Sequence, residues 1–123
     1  PILEPEVDIN SSTKAEAEQM LLDLLMENFK GLDSSQKIML KLSLPDQNNH
    51  YAPCIEHPNV IRVVALSGGY SREEANARLS RNQGMTASFS RALTEGLSEG
   101  QSDIEFNQKL DSTIDSIFQA SIT

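Results

Sequence analysis

The sequence predicts an α/β fold in which helices cover a parallel sheet. Short apolar runs alternate with helical periods, and four such strand–helix units follow one another within 123 residues. The runs are mostly apolar, as is typical of parallel strands that are buried on both faces. Four units make half of an eight-stranded (βα)₈ TIM barrel, which typically takes about 250 residues. A small open, doubly wound sheet is the alternative, and periodicity alone does not separate the two.

The first unit is predicted from an alternating segment and a helix. Residues 1–7 alternate as a strand, with Glu4 and Glu6 on one face. Thr13-Lys-Ala-Glu16 has the sequence of a capping box, and Lys30-Gly31 is typical of a helix end. The buried stripe of this helix is predicted from its apolar spacing to comprise Ala17, Met20, Leu21, Leu24, Leu25 and Phe29.

The next two units follow the same pattern. The second strand is predicted within residues 37–45, and a short helical turn follows at 51–56. In this strand one face would carry Met39, Lys41 and Ser43, and the face against the helices would carry Ile38, Leu40 and Leu42. The third strand, at 60–66, is rich in β-branched residues. Its helix is predicted from the capping box Ser71-Arg-Glu-Glu74 to about Arg81.

The fourth unit is predicted from a strand at 84–89 and a long final helix. The capping box Ser102-Asp-Ile-Glu105 opens that helix. Apolar residues recur along it at helical spacing, so its predicted buried face comprises Phe106, Leu110, Ile114, Ile117 and Phe118.

Composition excludes several classes of function. The net charge of −8 and the pI near 4.6 argue against a nucleic-acid or anionic-membrane surface, so a bound anion needs a small local pocket. Cys54 is the single cysteine, and we found neither a secretory signal nor an apolar span, which favours a cytoplasmic protein. The two histidines and this cysteine lack metal-ligand spacing, so no metal is predicted.

Charged residues at the ends of the strands are the candidate catalytic groups. Lys41 lies in an apolar run, where a cation is costly unless it is used, and a desolvated lysine amine is a nucleophile toward carbonyl groups. A strand-end lysine that reaches into water is the alternative. Glu4 and Glu6 would either supply protons at that amine or form a structural ion pair.

The third and fourth strands end in a candidate anion site. Ser67-Gly68-Gly69 precedes a helix, where backbone N–H groups and the helix dipole favour negative charge. Ser88 and Arg91 follow the next strand, and Arg91 would add a charge-assisted bond to the same phosphate. Either feature alone is commonly a plain turn or a solvated cation, but adjacent strands bring the two together.

Four segments in order resemble the class I fructose-1,6-bisphosphate aldolases, and the last segment is most similar to the bacterial branch. The segments are Pro1–Glu6, Met39–Lys41, Leu66–Ala75 and Ser88–Leu93. The resemblance implies a (βα)₈ barrel, of which residues 1–123 would supply strands 5–8 as the C-terminal half, with the N-terminal half absent. Lys41 would form the Schiff base and Glu4 would act as its acid–base partner, with Glu6 in the hydrogen-bonded surroundings.

The resemblance also implies a substrate and a set of partners. The substrate would be a sugar phosphate, whose phosphate is held by Ser67, Gly68 and Arg91, and no cofactor is needed. The chain departs from the animal enzymes after Lys41, where Leu-Ser replaces Pro-Asn, and it lacks their C-terminal tyrosine. The remaining half of the barrel is the expected partner, with a homo-oligomer possible. A non-catalytic half-barrel that binds sugar phosphates or serves assembly, and another Schiff-base barrel aldolase, are the alternatives.

Overall fold

The computed structural model describes residues 1–123, which form one four-stranded parallel sheet with helices. The strands are β1 (Ile2–Leu3), β2 (Ile38–Ser43), β3 (Val60–Leu66) and β4 (Met85–Ala87). The helices are α1 (Lys14–Phe29), α2 (Ala52–Ile55), α3 (Arg72–Leu79), α4 (Arg91–Thr94) and α5 (Asp103–Ser121). The predicted α/β class, the order of elements and the parallel sheet are therefore confirmed.

The strand order favours one of the two architectures that periodicity left open. Each strand pairs with the next one along the chain, in the order β1-β2-β3-β4. One core cluster of 17 buried residues joins β2, β3 and β4 to all five helices. Its strand residues share one face, because Leu40 pairs with Val63 and Val63 pairs with Met85. A doubly wound sheet reverses its strand order and has helices on both faces, so this arrangement is compatible with half of a barrel instead.

The predicted facing of β2 is confirmed. Ile38, Leu40 and Leu42 are buried against the helices, whereas Met39 and Lys41 are partly exposed on the opposite face. Parallel register places Lys41 beside Val64 on that face, and Val64 beside Thr86. The second face of the sheet is therefore open to solvent in this chain, and Lys41 lies on it.

The first strand is shorter than the alternation of residues 1–7 predicts. Only Ile2–Leu3 pairs with β2, since Pro5 has no N–H group to continue the ladder. Farther along, the Ser43 hydroxyl takes the place of backbone pairing. Its Oγ accepts a hydrogen bond from the Val7 amide (2.8 Å) and donates one to the Val7 carbonyl (3.0 Å). These two bonds hold residues 4–6 alongside β2.

The three predicted capping boxes form to different extents. Ser102 and Glu105 make the complete box at α5. At α3 the Ser71 hydroxyl accepts from the Glu74 amide, but the Glu74 side chain binds Arg78 instead. The box predicted at Thr13 is wrong, since this residue makes no side-chain cap and its hydroxyl bonds with Ser11.

The buried faces predicted for the first and last helices are partly wrong. Met20 and Leu24 of α1 are 65% and 56% exposed, whereas Leu25 and Phe29 are buried as predicted. In α5, Phe106, Ile114 and Phe118 are exposed, Leu110 and Ile117 are half-buried, and only Thr113 and Ala120 are fully buried. Periodicity identifies an apolar face, but these two helices lie at opposite edges of the sheet, where half of each face has no neighbour.

Each open edge of the sheet has an apolar groove. The β1 groove has a volume of about 370 Å³ and is lined by residues that include Leu3, Leu24 and Leu32. The β4 groove has a volume of about 440 Å³ and is lined by residues that include Phe89 and Phe118. None of the five helices combines the length and the apolar character needed to cross a membrane.

A buried ionic network, which the sequence pattern does not predict, lies beneath the end of β2. Lys14 and Glu18, which are 4% and 1% exposed, form an ion pair within α1. The Lys14 ammonium also donates to the Leu44 carbonyl and to Asp46 Oδ1, both at 3.0 Å. Burial opposes ionisation of Asp46, but hydrogen bonds from Lys14 and Arg78 outweigh it and lower the pKa of the carboxyl.

Candidate active site

A polar cleft of about 170 Å³ lies at the carboxyl ends of the strands. This is the end of a parallel sheet at which α/β proteins place their active sites. Seven of the eight predicted site residues line the cleft, and Gly69 is the exception. The lining residues are Glu4, Glu6, Lys41, Leu66, Ser67, Gly68, Ser88, Ser90 and Arg91.

Lys41 and Glu4 form an ion pair at the base of the candidate site. The distance from Lys41 Nζ to Glu4 Oε2 is 2.9 Å, and the two side chains are 29% and 53% exposed. The strand therefore holds the ammonium on the open face of the sheet, with a carboxylate at hydrogen-bonding distance. A lysine nucleophile and a proton donor need this proximity to form and hydrolyse an imine.

Glu6 lies on the same side of the chain as Glu4 because the two residues are separated by one position in an extended segment. Glu6 lines the cleft and is exposed, but it forms no ion pair. Two carboxylates and two cations, Lys41 and Arg91, therefore face the same small volume. Such a cleft suits a ligand that carries both an anionic group and groups that exchange protons.

The Ser-Gly-Gly segment forms a tight turn between β3 and α3, which we call the Ser67–Tyr70 turn. The Tyr70 amide donates to the Ser67 carbonyl (3.0 Å), and Gly68 and Gly69 have φ angles of 63° and 106°. Residues other than glycine rarely adopt these φ angles. The amides of Gly68 and Gly69 have no hydrogen-bond acceptor within the protein, so they remain free to bind an anion.

Arg91 enters the cleft from the adjacent unit. It is the first residue of α4, is exposed, and follows β4 after a short segment that also contributes Ser88 and Ser90. The Ser88 amide continues the strand pairing by donating to the Ala65 carbonyl (2.8 Å). This bond holds the start of the segment against β3, next to the turn.

Sequence reasoning missed Ser90 as a lining residue. Ser90 carries a hydroxyl, and its amide has no hydrogen-bond acceptor within the protein. Its position between Ser88 and Arg91 is the sequence feature that could have predicted it. Neighbouring residues of a segment that runs along a cleft commonly line that cleft together. Gly69, by contrast, belongs to the turn without lining the cleft, and the side of its backbone that would carry a Cβ faces Ile9 Cδ1 at 3.4 Å.

The cysteine thiol lies outside the cleft. Cys54 is buried in the core, and burial raises the pKa of its thiol to about 11, so the thiol stays protonated at neutral pH. Nowhere do three or more histidine, cysteine or acidic side chains lie in an arrangement that could hold a metal ion. The Lys41 amine, which lines the cleft beside Glu4, is the candidate nucleophile.

Comparison with known proteins identifies relatives that share one name. No family model matches the chain. A Synechocystis sp. protein named fructose-bisphosphate aldolase class 1 is 61% identical over 123 residues. Proteins of the same name from Clostridium acetobutylicum and Porphyromonas gingivalis are 53% and 54% identical over 123 and 122 residues. The resemblance to class 1 fructose-bisphosphate aldolases is confirmed.

The match to the class 1 aldolases covers the whole of this chain but only part of each relative. The Synechocystis protein matches all 123 residues, and the chain spans 41% of that relative's length. The corresponding share is 42% for the Clostridium protein and 41% for the Porphyromonas protein. Every residue of the cleft therefore lies within a segment shared with class 1 aldolases, while more than half of each relative has no counterpart here.

Proposed function

We propose that the polypeptide to which this chain corresponds is a class I fructose-bisphosphate aldolase, a cytoplasmic enzyme of sugar-phosphate metabolism. It would cleave fructose 1,6-bisphosphate reversibly into dihydroxyacetone phosphate and glyceraldehyde 3-phosphate. The observation that carries the proposal is the Lys41–Glu4 pair, in which Lys41 Nζ lies 2.9 Å from Glu4 Oε2. The same cleft contains Arg91 and the Gly68 amide, which has no acceptor within the protein. The identity to relatives of that name supports it.

In this proposal the chain supplies strands 5–8 of a (βα)₈ barrel. Sequential strand order and a core on one face of the sheet support this. The two edge grooves support it as well, since closing a barrel requires apolar partners at both edges of a half. The remaining strand–helix units would cover the exposed faces of α1 and α5, and the chain by itself would lack a complete active site.

The first chemical step proposed is formation of an imine. The Lys41 ammonium passes a proton to Glu4, the resulting neutral amine attacks the C2 ketone of the substrate, and the carbinolamine that forms loses its hydroxyl as water. Glu4 donates the proton that this hydroxyl needs to leave, because it is the carboxyl group at hydrogen-bonding distance from Lys41 Nζ. Glu6, two residues farther along, lies in the surroundings of that proton transfer and would help to keep Glu4 in place.

The iminium group then accepts electrons. A base takes up the proton of the C4 hydroxyl as the C3–C4 bond breaks. This releases glyceraldehyde 3-phosphate and moves the bonding electrons through C2 to nitrogen, which leaves an enamine. Protonation of C3 and hydrolysis of the imine release dihydroxyacetone phosphate and restore the Lys41 amine. Because the iminium serves as the electron sink, these reaction steps need no cofactor.

The phosphate next to the ketone would bind at the Ser67–Tyr70 turn. The Gly68 and Gly69 amides point to an anion site because neither has an acceptor within the protein. Arg91 would add a charged contact, and Ser88 would supply a hydroxyl. A phosphate held there lies in the same cleft as Lys41, so binding would also orient the ketone toward the amine.

The decisive experiment is a hybrid in which this chain replaces the matching segment of the Synechocystis relative. We expect the hybrid to cleave fructose 1,6-bisphosphate with its rate unchanged by EDTA, and the isolated chain to show no cleavage. The isolated chain should also associate or aggregate, since its sheet edges and grooves are uncovered. Coupled-enzyme assays and light scattering measure both outcomes.

Three results would contradict the proposal. A folded hybrid that binds the sugar phosphate without cleaving it would indicate a non-catalytic binding or assembly module. A hybrid that cleaves only a deoxyribose or transaldolase-type substrate would indicate another Schiff-base aldolase. An isolated chain that is a monodisperse monomer of 13.6 kDa with a cooperative melt would contradict the half-barrel.

Arg91→Ala tests the phosphate contact. In the hybrid we expect affinity for the phosphorylated substrate to fall roughly ten- to a hundredfold, which corresponds to about 1.5–3 kcal/mol for a charge-assisted bond. Handling of an unphosphorylated analogue should change much less, because the lost group binds only the phosphate. Steady-state kinetics with both substrates measure the difference, and equal losses would indicate that Arg91 is structural.

Gly68→Ala tests the turn. Gly68 has a φ of 63°, and a Cβ there would lie 2.9 Å from Ile9 Cγ2, so we expect about 1–2 kcal/mol of destabilisation together with weaker phosphate binding. Gly84→Ala is the matched control. Its φ is 78° and its Cβ would lie 3.0 Å from Ile55 Cγ2, but it precedes β4 at the opposite end of the sheet.

The two glycine variants should therefore separate stability from binding. Both should unfold at lower denaturant concentration, while only Gly68→Ala should raise the dissociation constant for inorganic phosphate. A similar loss of phosphate affinity in Gly84→Ala would show that the effect of Gly68→Ala is one of stability alone.

A further inference from the structure

Arg72, which does not line the cleft, is bonded to the short helix that carries Arg91. It is the first residue of α3, and its guanidinium Nη1 donates to the Glu95 carbonyl at 2.9 Å and to the Ala92 carbonyl at 3.5 Å. The Arg72 backbone amide donates to the Glu95 carboxylate at 2.8 Å. Arg72 therefore binds both the main chain at the C-terminal end of α4 and the side chain of Glu95.

Helix α4 depends on such external support. It has only four residues, and an isolated helix of this length is unstable because nucleation is costly. Its N-cap, Ser90, makes no side-chain cap. Its last carbonyls need partners, and a guanidinium placed there also interacts favourably with the negative end of the helix. Arg72 provides both.

The same residue is connected to the other side of the proposed phosphate site. Arg72 follows the Ser67–Tyr70 turn after a single residue, Ser71, which caps α3 by accepting from the Glu74 amide. The Ala92 side chain is buried in the core, which anchors α4 at that point. The bonds from Arg72 join the C-terminal end of α4 to the first residue of α3, next to the turn.

We propose that Arg72 is a positioning residue for phosphate binding, which holds Arg91 at a fixed place relative to the Ser67–Tyr70 turn. This inference rests on the proposed phosphate site. Without Arg72 the cleft would retain all of its lining groups, but Arg91 would sample several positions. Affinity for the phosphate would fall, while the chemistry at Lys41 would be unaffected once the substrate is bound.

The test compares Arg72→Gln with Arg81→Gln in the hybrid. Arg81 is the matched control because it has the same charge, lies just beyond the C-terminal end of α3, is exposed, and makes no side-chain hydrogen bond. For Arg72→Gln we expect the dissociation constant for inorganic phosphate, followed by the amide resonances of Gly68 and Gly69, to rise about three- to tenfold. The KM for fructose 1,6-bisphosphate should rise similarly with kcat within twofold. Arg81→Gln should change neither.

A double-mutant cycle distinguishes positioning from a general structural role. If Arg72 acts through Arg91, Arg72→Gln should have no further effect on phosphate affinity in the Arg91→Ala background. Arg72→Lys, which keeps the positive charge and a donor nitrogen, should restore part of the affinity and guards against a variant that fails to fold. Additive losses, a lower kcat with unchanged KM, or the same effect from Arg81→Gln would overturn the inference.

Failure of this inference is distinguishable from failure of the proposed function. An active hybrid whose phosphate affinity is unchanged by Arg72→Gln overturns the positioning role alone. A hybrid that binds phosphate without cleaving the sugar overturns the proposed enzyme, and the phosphate titration still decides the role of Arg72.

Discussion

Lys41→Arg in the hybrid is expected to lower cleavage of fructose 1,6-bisphosphate by roughly a thousandfold or more, as removal of a covalent nucleophile does. Arginine keeps the positive charge and can still pair with Glu4, but its guanidinium does not lose a proton at accessible pH and cannot form the imine. The change therefore tests the chemistry rather than the ion pair. Initial rates of cleavage measure it.

Borohydride trapping gives an independent readout of the same residue. With dihydroxyacetone phosphate and borohydride, the unmodified hybrid should acquire a stable adduct on Lys41, located by mass spectrometry of its peptides. Lys37→Arg is the matched control, because Lys37 precedes the same strand but is exposed and donates to the Pro58 carbonyl at 2.9 Å. Normal turnover in Lys41→Arg, or an adduct on Lys37, would refute the nucleophile.

Glu18→Ala is expected to be the most destabilising of the substitutions considered, at about 3 kcal/mol. Removing one partner of a buried ion pair leaves the other charge uncompensated, which typically costs about 3–5 kcal/mol. The lower end applies because Asp46 Oδ1 still lies 3.0 Å from the Lys14 ammonium. The Asp46 amide would also lose its acceptor, Glu18 Oε2, at 3.1 Å. Denaturant unfolding of the hybrid measures the change.

Two further variants separate burial from charge. Glu27→Ala removes an exposed ion pair with Lys30 from the same helix, and such pairs contribute about 1 kcal/mol at most. Replacing both members of the buried pair, in Lys14→Met with Glu18→Leu, should recover much of the loss, since apolar residues of similar size leave no unpaired charge. A Glu18→Ala variant as stable as Glu27→Ala would contradict the importance of this network.

The ionic network illustrates what a single sequence hides. Lys14 and Glu18 have the spacing of an ordinary solvated pair on a helix, and nothing local marks them as buried. They are enclosed because the segment after β2 folds back over α1 and brings Asp46 with it. Arg78 of α3 then binds Asp46 and lies over the Tyr70 ring, 4.3 Å from its centroid.

Residues of the cleft were easier to anticipate than the packing of the helices. Parallel strands bring their carboxyl ends to one edge, so the sequence alone predicts that Lys41, Ser67 and Arg91 lie together, as they do in the cleft. Gly68 was identifiable because a Gly-Gly pair before a helix predicts backbone with positive φ. Ser90 was missed because its contribution depends on how the segment before α4 bends, which no local pattern specifies.

The sequence by itself determined the element order, the facing of β2 and the resemblance to the class I aldolases, since each depends on periodicity or on residues adjacent in the chain. Tertiary structure alone decided that the helices share one face of the sheet, and that Met20, Ile114 and Phe118 remain exposed at its edges. It also decided that Lys14 and Glu18 are buried. The physical reason is that an apolar or charged face specifies only a preference for a partner. Which partner it meets, or whether it meets one, depends on segments distant in the sequence.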